Sequence, residues 1–152
     1  MPQTYFHCLP ALLAPGSIIE PGNWGRIIRT YLPQDGGSFG VAFRETVLER
    51  ERLAVAPHKP SRLSAVFACP TEAELTAFMT SAGRLRDVPY EVAPICEDVP
   101  LHFGDHGLPL LEQGRPYFDA FAERARVYWL AEAPATNIEV LIGGPVRIIK
   151  RL

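Results

Sequence analysis

Apolar residues along this chain come in short runs broken by proline and glycine. TYFHCL (4–9) is an aromatic run that predicts a first strand. APGSIIEPGNWGRII (14–28) carries Pro-Gly pairs at 15–16 and 21–22, which mark turns. In FRETVLERERLA (43–54), Phe43, Val47, Leu48 and Ala54 recur among charges in the pattern of an amphipathic helix. Two prolines in PHKPSR (57–62) stop it. LSAVFAC (63–69) reads as a buried strand. Thr71 and Glu74 then form a capping-box pattern for a helix over TEAELTAFMTSA (71–82). VPYEVAPI (88–95) is another strand, whereas 96–115 is Gly/Pro-rich and reads as irregular. That segment is too long for an ordinary connection, which makes it a candidate for function. PYFDAFAERA (116–125) is helical with proline at its start, and RVYWLAEAP leads through a short loop to a final strand or strand pair at 137–151. No repeat or linker divides the chain, so one domain over residues 1–152 is expected. Strands and helices do not alternate regularly, which favours α+β over a doubly wound α/β fold.

Composition narrows the picture. A chain of 152 residues, 47% hydrophobic, can bury a core of its own. Its net charge of −2 gives no broad electrostatic footprint for nucleic acid or a membrane surface. A local basic patch stays open, because Arg26, Arg29, Arg44, Arg50, Arg52 and Arg62 all fall in the first half. The 15 prolines and 12 glycines favour loops and short strands over a helical bundle. No stretch approaches the roughly 18 apolar residues of a spanning helix, and MPQTYFHC lacks the basic start and apolar core of a signal peptide. A cytoplasmic protein is expected, with Cys8, Cys69 and Cys96 reduced and mostly buried.

Several chemistries can be weighed. There is no G-x-x-x-x-G-K-[ST] loop and no G-x-G-x-x-G after a strand. HFGDH (102–106) offers His102, Asp105 and His106, with Cys96, Glu97 and Asp98 just upstream, all of types that zinc accepts. Gly104 and the neighbouring prolines oppose a helix that would align the two histidines, so a polar surface loop is the simpler reading. A Cys–His hydrolase needs a thiolate beside an imidazole. Cys8 adjoins His7, but neighbours on a strand point to opposite faces.

The remaining constellation is spread along the chain. His7 ends a strand, LSAVFAC runs directly into a helix carrying Phe78, and Glu139 heads the apolar segment NIEVLI. A strand bound for a core has little use for a carboxylate, because an unpaired buried charge is costly. Singly, each has a plain structural account: a half-buried strand histidine, core phenylalanines and a solvent-facing glutamate.

In this order, YFHCLPALLAPGSII, LSAVFACPTEAELTAF and IEVLI resemble the ADP-ribosyltransferase superfamily. The likeness is to its histidine class, which includes rifampin-modifying and poly(ADP-ribose) polymerase-type members. DVPYEVAPI and PVRIIK fall where that fold has further strands, and the PGNWGR and KPSRL segments resemble those of a small group of uncharacterised bacterial proteins.

The resemblance implies a split β-sandwich of two small sheets with two or three helices, with His7 and Glu139 facing one cleft. NAD would be the co-substrate. Glu139 would be the catalytic carboxylate, His7 would hold a ribose, and Arg62 would pair with the pyrophosphate, with Arg26 as a second candidate. Asn23 would bond substrate or hold its loop, Ser64 could stand for the serine of the other class, and Phe67 or Phe78 would stack on nicotinamide. Two departures qualify this. The middle-strand tyrosine of the histidine class is replaced by Val66 or Phe67. Arginine-modifying members carry a second glutamate where this chain has Asn137. The acceptor could be protein, nucleic acid or a small molecule. An intracellular toxin or phage-defence effector, with an antitoxin protein as partner, is one setting the resemblance allows. The alternatives are a non-catalytic nucleotide- or partner-binding domain of the same fold and a metal-dependent hydrolase using His102, Asp105 and His106.

Overall fold

The structure is a computed structural model and describes residues 3–131, 134 and 136–152. It is an α+β fold of two small antiparallel sheets and, among the described residues, four helices. The first sheet has the order β1 (Tyr5–Leu9), β4 (Val88–Pro94), β7 (Val146–Arg151), β2 (Ile18–Ile19). The second has β3 (Val66–Ala68), β6 (Ile138–Ile142) and β5 (Leu101–Asp105). A single antiparallel bridge, Phe6 to Cys69, ties β1 to the end of β3.

Strand alternation divides the second sheet cleanly between two cores. Val66, Ala68, Val140 and Ile142 face the first sheet, where they meet Tyr5, Tyr90, Val92, Val146 and Ile148. Leu141 faces the other way, onto α2 (Ser38–Val55) and α4 (Tyr117–Leu130), and packs with Val47, Leu48, Phe121, Ala125, Tyr128 and Trp129. A third cluster joins Leu75 and Met79 of α3 (Glu72–Ser81) to Cys8 and Cys69. Helix α3 starts as its sequence predicts, with Thr71 Oγ1 accepting from Glu74 N at 3.2 Å and donating to Glu74 Oε2 at 2.7 Å. Glu72 and Glu74 in its first turn suit the positive end of the helix dipole.

Several expectations need correction, beginning with the two or three helices, since four are described. PGNWGR is not only turns, since Asn23–Ile28 forms a short helix, α1. Its Gly25 lies against the Leu63 carbonyl so closely that a Cβ there would overlap it. That close approach seats α1 on the loop before β3, so Gly25→Ala should displace α1. Helix α2 begins five residues before the predicted Phe43, at Ser38, and α4 runs on to Leu130. Within 96–115, LHFGD forms β5. A strand holding both a histidine and a glycine carries little propensity signal, and it is pairing with β6 that fixes it. The loop expected after α4 falls partly on residues 132, 133 and 135, outside those described. Among the described residues no helix is long and apolar enough to cross a membrane.

Candidate functional site

Glu139 sits second in β6, paired in register with Gly104 of β5. Alternation turns it to the same side as Leu141, toward the helices, where it is only 7% exposed. Its Oε1 accepts from the Tyr128 hydroxyl at 2.6 Å and also from Arg62 Nη1. Oε2 has no partner among the described residues and is not enclosed. Arg62, from the Pro-flanked loop before β3, extends the network in both directions. Its Nη1 donates to Tyr128 Oη at 2.7 Å, while Nε and Nη2 reach Glu45 Oε2 and Oε1 at 2.9 and 3.3 Å. The guanidinium also lies over the Phe67 ring at 4.9 Å, a cation–π contact.

Electrostatics follow from this packing. Burial alone would push the Glu45 carboxyl up, but the Arg62 guanidinium, with help from Arg44, holds it below its usual range. Burial, reinforced by the Glu139 charge, raises the Tyr128 phenol well above its ordinary value, so the hydroxyl keeps its proton and donates. Arg62 stays charged, its two carboxylate neighbours outweighing the cost of burial. Two buried carboxylates therefore share one buried guanidinium. Arg44, which bonds Glu45 Oε1 at 2.9 Å, supplies a second positive charge only at the rim, where its side chain is 40% exposed.

The residues singled out by sequence are placed unevenly. Arg62, Phe67 and Glu139 come together. The guanidinium, however, is engaged by Glu45, Tyr128 and Glu139 and not held open for a phosphate, which corrects the expected role of Arg62. Phe78 on α3 is half-buried and meets His106 edge-on at 5.3 Å. Asn23 and Arg26 are exposed on α1, with Arg26 Nη1 donating to Pro21 O at 3.1 Å. Ser64 is exposed in the loop that α1 covers.

His7 does not share a cleft with Glu139. Phe6 and Cys8 pack toward α3, whereas Tyr5 and Leu9, and His7 between them, belong to the side of β1 that faces the inter-sheet core. The His7 Nδ1 donates to Phe67 O at 2.6 Å, filling the gap where β1 and β3 part. Burial lowers its pKa, against the opposing pull of that carbonyl.

The other two chemistries fare as follows. Cys8 and Cys69 are buried, and burial pushes their thiols up to about 11 and 12, the reverse of an activated nucleophile. Cys96 is exposed. His102 points inward, 2% exposed, with its ring 4.8 Å from Trp129 and 5.0 Å from Tyr128. Among the described residues no group of three His, Cys, Asp or Glu is placed to hold a metal.

Burial drives the His102 pKa down to about 3, and the charges of Lys59 and Arg62 push the same way. The unfolded chain takes up this proton near the ordinary 6.5, which the folded chain refuses until about 3. Stability from this residue is thus complete above that upper value and drains as pH falls toward the lower one. Urea midpoints measured at pH 7, 5 and 4 should fall steeply for the wild type and less steeply for His102→Phe. Parallel slopes would contradict the assignment.

Glu45 and Tyr128 escaped the sequence reading. Glu45 did leave a trace, lying three residues before the core residue Leu48 on the buried side of α2, where a carboxylate requires a counter-charge. Tyr128 in RVYWL gives no sign of being more than core.

No curated protein matches the chain. Residues 26–152 match a family model described as a protein of unknown function (DUF2441), and with most of its length matched, the chain belongs to that family.

Proposed function

We propose that the protein is an NAD-dependent ADP-ribosyltransferase with Glu139 as its catalytic carboxylate. One observation carries the reading: Glu139 is buried and held through Oε1 by Arg62 and Tyr128, while its Oε2 has no partner among the described residues. A buried carboxylate with one oxygen left unfilled is costly to keep, and such groups cluster at functional sites. The chemistry that fits is one whose transition state is positive. Cleavage of the bond between nicotinamide and ribose passes through an oxocarbenium-like state, which a fixed carboxylate stabilises where charge develops. The same Oε2 can accept a hydrogen bond from a ribose hydroxyl and take the proton of an incoming nucleophile. Phe67, half-buried, packs in the same cluster as Leu141 but already carries the Arg62 guanidinium over its ring, which makes the half-buried Phe78 on α3 the better candidate to stack on nicotinamide.

A second reading is a non-catalytic nucleotide- or partner-binding domain. The placement of His7 favours it, because the residue expected to hold a ribose is spent on Phe67 O. Incubation with NAD labelled in the adenosine half, with and without a cell lysate, separates the two. Nicotinamide release or label transfer supports the transferase. Measurable NAD binding with neither supports the binding domain.

A further inference from the structure

The geometry points to Tyr128 as the positioning residue for Glu139, with Gly104 as its seat; the inference rests on Glu139 being the working carboxylate. Glycine weakens a strand interior, yet Gly104 stands in β5 directly across from Glu139. The reason lies above it. A Cβ on Gly104 would collide with the hydroxyl end of the Tyr128 ring, which the bare backbone leaves room for. The ring is also held by T-shaped contacts with His102 at 5.0 Å and Trp129 at 4.9 Å, and the Arg62 guanidinium lies over it at 5.2 Å. A phenol so confined has one place for its hydroxyl, 2.6 Å from Glu139 Oε1 and 2.7 Å from Arg62 Nη1.

The consequence concerns which oxygen works. Arg62 offers Glu139 only Nη1, since Nε and Nη2 donate to Glu45, and a single nitrogen can donate to either oxygen of the carboxylate. Tyr128 removes that freedom. It draws Oε1 into the buried network and sets the carboxylate plane, which leaves Oε2 as the oxygen that meets substrate. Without the hydroxyl, the carboxylate can turn to give Oε2 to Nη1, and the oxygen left for the reaction is no longer fixed.

Tyr128→Phe deletes the hydroxyl and keeps the ring packing, so the variant should remain folded. Gly104→Ala keeps the hydroxyl but lifts the ring off its seat. With nicotinamide release from NAD as the readout, Tyr128→Phe should lower kcat about ten-fold, the scale of one lost hydrogen bond to a charged group. Gly104→Ala should lower it by about 100-fold, as misplacement of a reacting group does. KM for NAD should stay within about two-fold in both, because the interaction is spent on the reacting carboxylate. The double variant Gly104→Ala/Tyr128→Phe should be no slower than Gly104→Ala alone, since a ring already displaced has no hydroxyl contact left to lose. Wild-type kcat in folded Tyr128→Phe, or losses that multiply in the double variant, would overturn the positioning role while leaving the transferase standing. A wild-type protein that releases no nicotinamide would defeat the transferase, and this role with it.

Discussion

Glu139→Gln is expected to lower the rate of nicotinamide release by about 100- to 1,000-fold, the usual cost of losing one preorganised electrostatic contact with a developing charge. In barrier terms that is about 3–4 kcal/mol. The amide keeps the shape of the side chain and can still accept from Tyr128 and Arg62 through its carbonyl oxygen. What it removes is the negative charge facing the oxocarbenium, so NAD affinity should change far less than turnover. The fold should not suffer much. Arg62 keeps its paired bonds to Glu45, so the substitution leaves no buried charge without a partner. The variant is therefore expected to be no less stable than the wild type while far less active. A solvated or purely structural glutamate would give the opposite pattern, with activity untouched.

Arg62→Met should have the largest effect on stability. Removing the guanidinium leaves Glu45, 1% exposed, and Glu139, 7% exposed, as buried carboxylates with Arg44 at the rim as the remaining bonded cation. Breaking a buried pair by removing one partner costs about 3–5 kcal/mol, a large share of a small domain's stability. The contribution of Glu45 to the pH response should invert as well. In the wild type the Glu45 pKa is depressed, so its contribution is present above the ordinary carboxylate range and lost as pH falls through the folded value. Without Arg62, burial is the leading influence on Glu45 and pushes its carboxyl up, so mild acid should relieve the unpaired charge. Adding Glu45→Gln to Arg62→Met should recover part of the loss. Chemical denaturation of the single and double variants at pH 7 and pH 5 checks both points. A single variant as stable as wild type would mean that the network contributes nothing to the fold.

How much of this was legible in the sequence depends on how local the signal was. Helix α3 could be read because Thr71 and Glu74 form a cap whose hydrogen bonds lie within four residues. Glu139 could be singled out because a carboxylate in IEVLI conflicts with its apolar setting, and such conflicts mark sites where something else compensates. What compensates could not be read. Arg62 is 77 residues away and Tyr128 is 11 away, on α4, and only the packing of α4 on the second sheet brings them to one point. Strand β5 was lost for a similar reason. Gly104 looks like a turn residue until the Tyr128 ring is seen lying on it. His7 illustrates the opposite failure: it lies in the first strand as expected, though at its centre and not its end, and which way its side chain turns is set by the parting of β1 from β3, a matter of sheet geometry with no local code.

The account is tested most directly by a paired time course of free nicotinamide, with purified wild type and Glu139→Gln incubated side by side with NAD and a cell lysate. The account predicts nicotinamide accumulating with the wild type, matched by adenosine label on an acceptor or as free ADP-ribose, and near-background release with the variant. Equal release by the two proteins, or none from the wild type while NAD is bound, would contradict it.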